Sequence, residues 1–382
     1  MKSVSLLGLP FLSVLTCFAA DLPGFREVTV TTGLKMGYQI VVVDLTRDGK
    51  KDIIALDERS TELAWFENPG WERRVLADNV PRPINAAAWD TDQDGTPEIA
   101  LAHGFETNPE RSQGIVLLLT AGADVRQPWT RREIDRVPTA HRLRWIDTGH
   151  DRRKGLIVAP LVGSPAQPPD SAASVPVYLY MPGEWNRTLL TKQPTGVLHS
   201  VVPVTLERPD EQLFTASFSG IHLHTRDQRG NWQGEEIAKG DPRPCPQCGT
   251  SEIKIGRLGQ TRFIATIEPW HGNQVVVYLQ NGKSWKRTVV EEEMVNGHAL
   301  AVGDLNGDGR DEIVAGFRGK GFQLYAFTAE DSDGLNWRRT TLDPGGIAAA
   351  DCRIEDLNSD GRPDIACIGA STGNVKIYEN LQ

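Results

Sequence analysis

The sequence predicts an all-β chain folded as a seven-bladed β-propeller of four-stranded blades. Three observations carry this. A strand, acidic loop, strand unit recurs along the chain. A tryptophan-led strand recurs out of phase with it. The two ends of the repeat supply complementary parts of one blade.

The first unit is clearest in VVVDLTRDGKKDIIAL (41–56), AAAWDTDQDGTPEIAL (86–101), LAVGDLNGDGRDEIVA (300–315) and CRIEDLNSDGRPDIAC (352–367). Three more segments, 143–160, 201–217 and 253–267, keep the apolar strands and lose the acids, which makes seven. Trp71, Trp129, Trp185, Trp232, Trp285 and Trp337 each lead a short strand of alternating charge, and a third apolar strand such as GIVLLLT or NQVVVYL lies between the two signals. Four strands recurring about every fifty residues, with Gly-rich turns, describe a propeller blade. The last unit lacks its fourth strand, and GFREVTVTT near the start, with Phe25 in the Trp position, supplies it. Pairing of N- and C-terminal strands would then close the ring and remove its open edge.

Ahead of the repeat, Lys2, an apolar run over 6–15 and the small residues of CFAAD read as a secretory signal over 1–20, cleaved after Ala19 or Ala20. Residues 21–382 then form a single propeller domain, secreted or periplasmic. The run is too short to span a membrane. Lipidation of Cys17 is the weaker reading, because Thr16 is not the small residue normally wanted before it. Export permits disulfides. CPQC, with Cys245 and Cys248, lacks the second CxxC of a zinc ribbon, leaving a loop disulfide or free thiols. Cys352 and Cys367 fall opposite each other on facing strands, as a cross-strand disulfide or as buried small hydrophobes. The formal charge of −9 argues against nucleic acid or an anionic membrane as partner.

The acidic loops follow D-x-[DN]-x-D-G-x-x-[DE], with side-chain oxygens at positions 1, 3, 5 and 9 and the turn-forming Gly at 6. Calcium wants six to eight hard oxygen ligands, and this spacing suits it. Asp90, Asp92, Asp94 and Glu98 form a full set, as do Asp304, Asn306, Asp308 and Glu312, and Asp356, Asn358, Asp360 and Asp364. The first loop offers Asp44, Asp48 and Asp52 but has Thr46 at position 3, and should bind more weakly. These loops resemble the FG-GAP or VCBS repeats of integrin-type propellers, which implies a structural Ca²⁺ that braces the blade.

The histidines point elsewhere. Six residues before the first loop position lies the entrance of the innermost strand, on the opposite face. There stand Tyr38, His141, His199 and His298, with Ile84 beside Asn85, Thr250 or Ser251 before Glu252, and Ala350 beside Asp351 in the other blades. Loops leaving the second strand on that face bring Asp57, Glu58, Arg59, His103, Glu268, Trp270, His271 and Arg318. Such a channel mouth is a small-molecule site by default. Its imidazoles, with Glu268 as an oxygen ligand, suit Zn²⁺ or another divalent transition metal, and a metal-free general-base site is the competing version. His150 falls in a degenerate loop, and His222 and His224, alternating along GIHLHT, read as surface residues.

TAHRLRW, LIVAPLVG, EPWHGNQVVVY and GHALAVGDLNGDGRDEIVAGFR resemble the propeller of the aldos-2-ulose dehydratases and their bacterial relatives, best over blades 3 to 6. The resemblance implies β-elimination on a keto-sugar such as 1,5-anhydrofructose. The cupin domains of the fungal enzyme have no counterpart in these 382 residues, so the resemblance implies dehydration and leaves an isomerase step without support. On this reading His141, His199, His271, His298 and Glu268 are catalytic or ligating. Arg142, Arg318, Tyr38 and His103 bind sugar oxygens, and Trp270 stacks on the ring. The rival reading is a non-enzymatic, calcium-stabilised carbohydrate-binding or adhesion propeller. A lyase acting on uronic-acid polysaccharides would want a basic groove, which the net charge does not favour.

Overall fold

The computed structural model describes residues 20–149, 153–165, 172–206, 208, 210–282 and 284–382. The signal segment, Cys17 and His150 lie outside the described residues. Among these, 28 strands form seven four-stranded antiparallel sheets. Six sheets are built from consecutive strands, spanning 37–77, 85–136, 140–191, 198–238, 253–291 and 297–343 as blades 1 to 6. The seventh joins three strands over 349–380 to Phe25–Thr32, which pairs antiparallel with Asn374–Asn380 in the register Phe25↔Asn380 to Thr32↔Asn374. The closure expected from the repeat is present. Among the described residues no helix is long and apolar enough to cross a membrane.

Blades pack face to face, so the middle strands are apolar on both sides. Asp52–Asp57, Glu98–His103, Glu312–Phe317 and Asp364–Gly369 are buried along their whole length. The acid at loop position 9 opens each of these strands and turns inward. Asp52 accepts the Leu45 and Asn68 amides, Asp364 the Leu357 and Asn380 amides, and Glu312 the Leu305 amide. The apolar residue at position 2, Leu45, Leu305 or Leu357, is at most 3% exposed, and its seat against the core fixes the loop. Blades 1 and 7 then reach across the seam: Asn68 donates to the Leu357 carbonyl and Asn380 to the Leu305 carbonyl. Cys352 and Cys367 are directly paired across neighbouring strands and form a disulfide, as do Cys245 and Cys248.

Face-to-face stacking also corrects one expectation. His222 and His224 are not surface residues; they are 4% and 0% exposed, and the Thr215 hydroxyl is bonded to His224 Nε2. Their strand, Gly220–Arg226, is third from the axis and still covered by neighbouring blades, so both of its faces are interior.

Candidate functional site: a histidine cluster at the channel mouth

The innermost strands share a defect at their entrances. In blades 1, 3, 4, 6 and 7 the ladder slips between Gly37 and Gln39, Ala140 and Arg142, Leu198 and Ser200, Gly297 and Ala299, and Ala349 and Asp351. The residue skipped in each is Tyr38, His141, His199, His298 or Ala350. A β-bulge leaves one residue unpaired and re-aims its side chain. The positions that sequence register picked out are therefore the bulged ones, and the bulge is what turns them together.

They meet closely. The ring of His199 is 5.0 Å from that of His141, 4.9 Å from that of His271 and 5.1 Å from that of His298. Tyr38 adds its hydroxyl, which donates to His141 Nε2 at 2.6 Å. His271 arrives on a loop instead of a strand. Its φ of 48° lies in the left-handed region, unfavourable for a residue with a Cβ. The turn is tight enough that a Cβ on Gly272 would stand 2.1 Å from the Glu268 carbonyl oxygen, so only glycine closes it. Trp270 packs beside His271 with centroids 4.6 Å apart. Arg318 reaches in from blade 6, with its Nε buried and unpartnered.

Hydrogen bonding fixes which ring nitrogens are bare. His298 Nδ1 donates to the Ala350 carbonyl, leaving Nε2 buried and without a partner. His199 Nδ1 donates to Glu252 Oε1 at 2.9 Å, leaving its Nε2 facing His271 Nε2 at 3.2 Å. Nitrogen atoms of His199, His271 and His298 all lie within 4.8 Å of one another. Two nitrogens tetrahedrally bound to zinc stand about 3.3 Å apart, from bond lengths of about 2.05 Å. His298 Nε2 without a partner, and the Nε2 atoms of His199 and His271 bonded only to each other, with two of the three rings anchored through Nδ1, fit a divalent transition metal with an open fourth position.

Burial keeps these rings neutral. It depresses His141, His271 and His298 well below the usual imidazole range, helped by Arg142 at His141, by His199 at His271 and by Arg318 at His298. His199 is pushed down to about 4 by burial and then by Arg142. Burial also raises the Tyr38 phenol, against the pull of Arg142. For Glu252 burial acts upward, but Arg142 and His199 outweigh it and hold the carboxylate well below its usual range.

Two expected members are elsewhere. Glu268 is fully buried but turns away from the histidines, its Oε1 taking hydrogen bonds from Tyr278 and Thr266 and its Oε2 two from Arg287 within blade 5. His103 sits at the end of its strand, and the charges acting on it are Arg131, Arg136 and Glu133 of the outer strand, none of them at the channel. Asp57 braces a turn, accepting the Lys35, Met36 and Arg59 amides. The carboxylate that does reach the cluster is Glu252, at the entrance of blade 5. Sequence register had named its position and given it no role.

Of the acidic loops, the second gathers its oxygens most closely. Atoms of Asp90, Asp92 and Glu98 lie within 4.8 Å of one another, and Asp90 Oδ1 is buried without a partner. These residues suit calcium. The fourth expected ligand, Asp94, is instead held by the Arg47 guanidinium at 3.2 Å. In the first loop Thr46 Oγ1 is buried and unpartnered, while Asp44 and Asp48 accept loop amides. Asp304, Asn306, Asp308, Asp356, Asn358 and Asp360 likewise bond within their own loops.

Residues 113–281, which carry His141, His199, Glu252 and His271, match the family described as aldos-2-ulose dehydratase, beta-propeller domain, and residues 296–325 match the FG-GAP repeat. Aldos-2-ulose dehydratase of Phanerodontia chrysosporium is 25% identical over 403 aligned residues covering 92% of this chain. The chain spans 44% of that relative's length. Two solved structures share the fold alone. The WD40 beta propeller domain of Doa1 has a TM-score of 0.56 at 11% identity, covering 92% of this chain and 97% of that one. BBS1N in complex with ARL6DN has a TM-score of 0.60 at 9% identity, covering 94% and 97%. The chain is a seven-bladed β-propeller that matches the FG-GAP repeat over residues 296–325 and resembles the propeller domain of aldos-2-ulose dehydratase.

Proposed function

We propose that this chain is a keto-sugar dehydratase acting by β-elimination at the histidine cluster. The observation that carries the reading is the convergence of the His199, His271 and His298 imidazoles beside the Tyr38–His141 pair, with His141, His199 and His271 inside the stretch similar to a dehydratase propeller. The elimination removes a proton from the carbon beside a ketone and a hydroxyl from the next carbon, giving an enone and water.

His199, His271 and His298 would hold a divalent ion such as Zn²⁺. When bound, that ion supplies Lewis-acid polarisation of a substrate oxygen. The chain's own groups do the rest. His141 Nε2, neutral and 2.6 Å from the Tyr38 oxygen, forms with it a pair able to take a proton from carbon and pass one to the leaving hydroxyl. Arg142 lies 3.0 Å from the same Nε2 and is fixed by Glu252, so its charge stabilises negative charge developing on a sugar oxygen. Arg318 offers its unpartnered Nε, and Trp270 an apolar face for the ring. Calcium at the acidic loops would brace the blades away from the chemistry. Two disulfides support an exported, oxidising location.

The test begins with metal content. Chain purified without chelator is expected to carry calcium and about one zinc-like ion per molecule, the second lost in His199→Ala and His298→Ala. Keto-sugars should then yield enone absorbance in the ultraviolet. Wild-type turnover in both His141→Ala and His298→Ala would sink the proposal. A second reading, a carbohydrate-binding module, is favoured by one feature: a cavity of about 530 Å³ lies between blades 4 and 5 beside Trp285, away from the histidines. It predicts sugar binding that survives both histidine substitutions.

A further inference from the structure

Beneath the histidines the channel becomes cationic. Arg142, Arg144, Glu252, Lys254 and Asp351 line one small cavity there, and the charge of Arg353 acts on both Lys254 and Arg144. Two of the four cations are matched. Arg142 pairs with Glu252 at 2.7 Å and Arg353 with Asp351 at 2.7 Å. Arg144 and Lys254 are left over. Arg144 donates only to neutral oxygens, Asn85 Oδ1 at 3.1 Å and the Leu143 carbonyl at 2.6 Å. The Lys254 ammonium has no hydrogen-bond partner among the described residues. The cavity therefore carries two unmatched positive charges inside a chain of net charge −9.

Half-buried cations without a counter-ion are held unfavourably, and these two show it. Burial, then the neighbouring Arg353, pushes Lys254 down to about 8 and Arg144 down to about 10. A water molecule could accept hydrogen bonds here but would leave the charge uncompensated. The cavity has about 10 Å³ of space for the centre of a water-sized particle. That is roughly one such sphere, too little for a phosphate or sulfate.

We infer that the channel beneath the histidines is a binding site for a monatomic anion of the chloride class, held by Lys254 and Arg144. The anion neutralises the lower channel and leaves Glu252 free to serve Arg142 and His199. The two cations that hold the anion, Lys254 and Arg144, have no part in the proposed reaction, although Tyr38, Arg142 and His298 line the same cavity.

The experiment uses the full mature chain, replete with calcium and transition metal. Melting is followed while sodium chloride or bromide replaces sodium gluconate at constant ionic strength. The expected result is a saturable rise of about 2 °C with either halide. Lys254→Met should abolish the halide-specific rise, and Arg144→Gln should weaken it. Crystals soaked in bromide should show an anomalous peak in the channel beside Lys254 Nζ. Equal melting in all three salts with no bromide in the channel overturns the inference, as does a halide response unchanged in Lys254→Met. Should that variant fail to fold, Arg144→Gln and the wild-type bromide peak decide.

Discussion

Glu252 Oε1 stands 2.9 Å from His199 Nδ1, joining the entrances of two neighbouring blades. The same oxygen takes the Arg142 guanidinium at 2.7 Å. One carboxylate therefore sets the tautomer of a candidate metal ligand and the position of a candidate substrate-binding cation. Carboxylates behind ligating histidines typically contribute a factor of about 10 to 100 in metal affinity. Glu252→Gln should weaken transition-metal binding by about that factor while leaving calcium content unchanged. Competition against a chromogenic chelator measures it. Unaltered affinity would remove Glu252 from this role.

Tyr38→Phe removes one hydroxyl from the cluster and keeps the ring that packs at 5.3 Å from His298. If Tyr38 and His141 share proton transfer, kcat on a keto-sugar should drop about 100-fold, with metal content retained. A change confined to KM would place Tyr38 in binding alone.

Glu268 offers the opposite test. Its partners Tyr278, Thr266 and Arg287 are structural, so Glu268→Gln should lower stability by about 2–3 kcal/mol by leaving Arg287 without its carboxylate. Turnover per folded molecule should stay within about twofold of wild type. A large loss of turnover at full folding would return Glu268 to the site.

Arg47 occupies Asp94, the one acid missing from the second loop's cluster. Arg47→Ala should release it, and calcium should then stabilise the protein at concentrations about three- to tenfold lower. Melting curves across a calcium titration decide. A midpoint that does not move means Asp94 takes no part in binding.

Acid sensitivity should have a source far from the channel. His224 is held down to about 4 by burial, against an ordinary value near 6.5. The unfolded chain binds this proton between those limits and the folded one does not. Stability is therefore intact above pH 6.5 and falls as pH drops towards 4, by about 2–3 kcal/mol from this residue. His224→Gln should lose markedly less melting temperature between pH 7 and pH 4.5 than wild type does.

The blade count, the closing strand and the register of His141, His199 and His298 were all legible in the sequence. Each follows from a period or from a fixed offset to a loop. What escaped is local. Glu268 lies at the end of a strand, where a one-residue change of register reverses the face on which a side chain stands. It pairs opposite Gln274 and points to Arg287, away from the axis. His222 and His224 alternate as an exposed strand would, but stacked blades leave their strand no free face. Glu252 was placed at the blade 5 entrance by register but given no role, because its partners Arg142 and His199 come from other blades and no spacing along the chain links them. The cation pair at Arg144 and Lys254 belongs to strands over a hundred residues apart and has no signature along the chain.

The bulges make the channel mouth rewritable. A side chain there hangs from a backbone position that owes nothing to ladder pairing, so its identity is set by neither strand register nor blade packing. Tyr38, His141, His199, His298 and Ala350 are five such sockets around one axis, and Ala350 is in effect a blank. Its carbonyl already anchors His298, while its methyl group contributes no chemistry. A scaffold of this kind can exchange the reactive groups it displays one at a time without renegotiating its core, and new activities on it would begin at those positions.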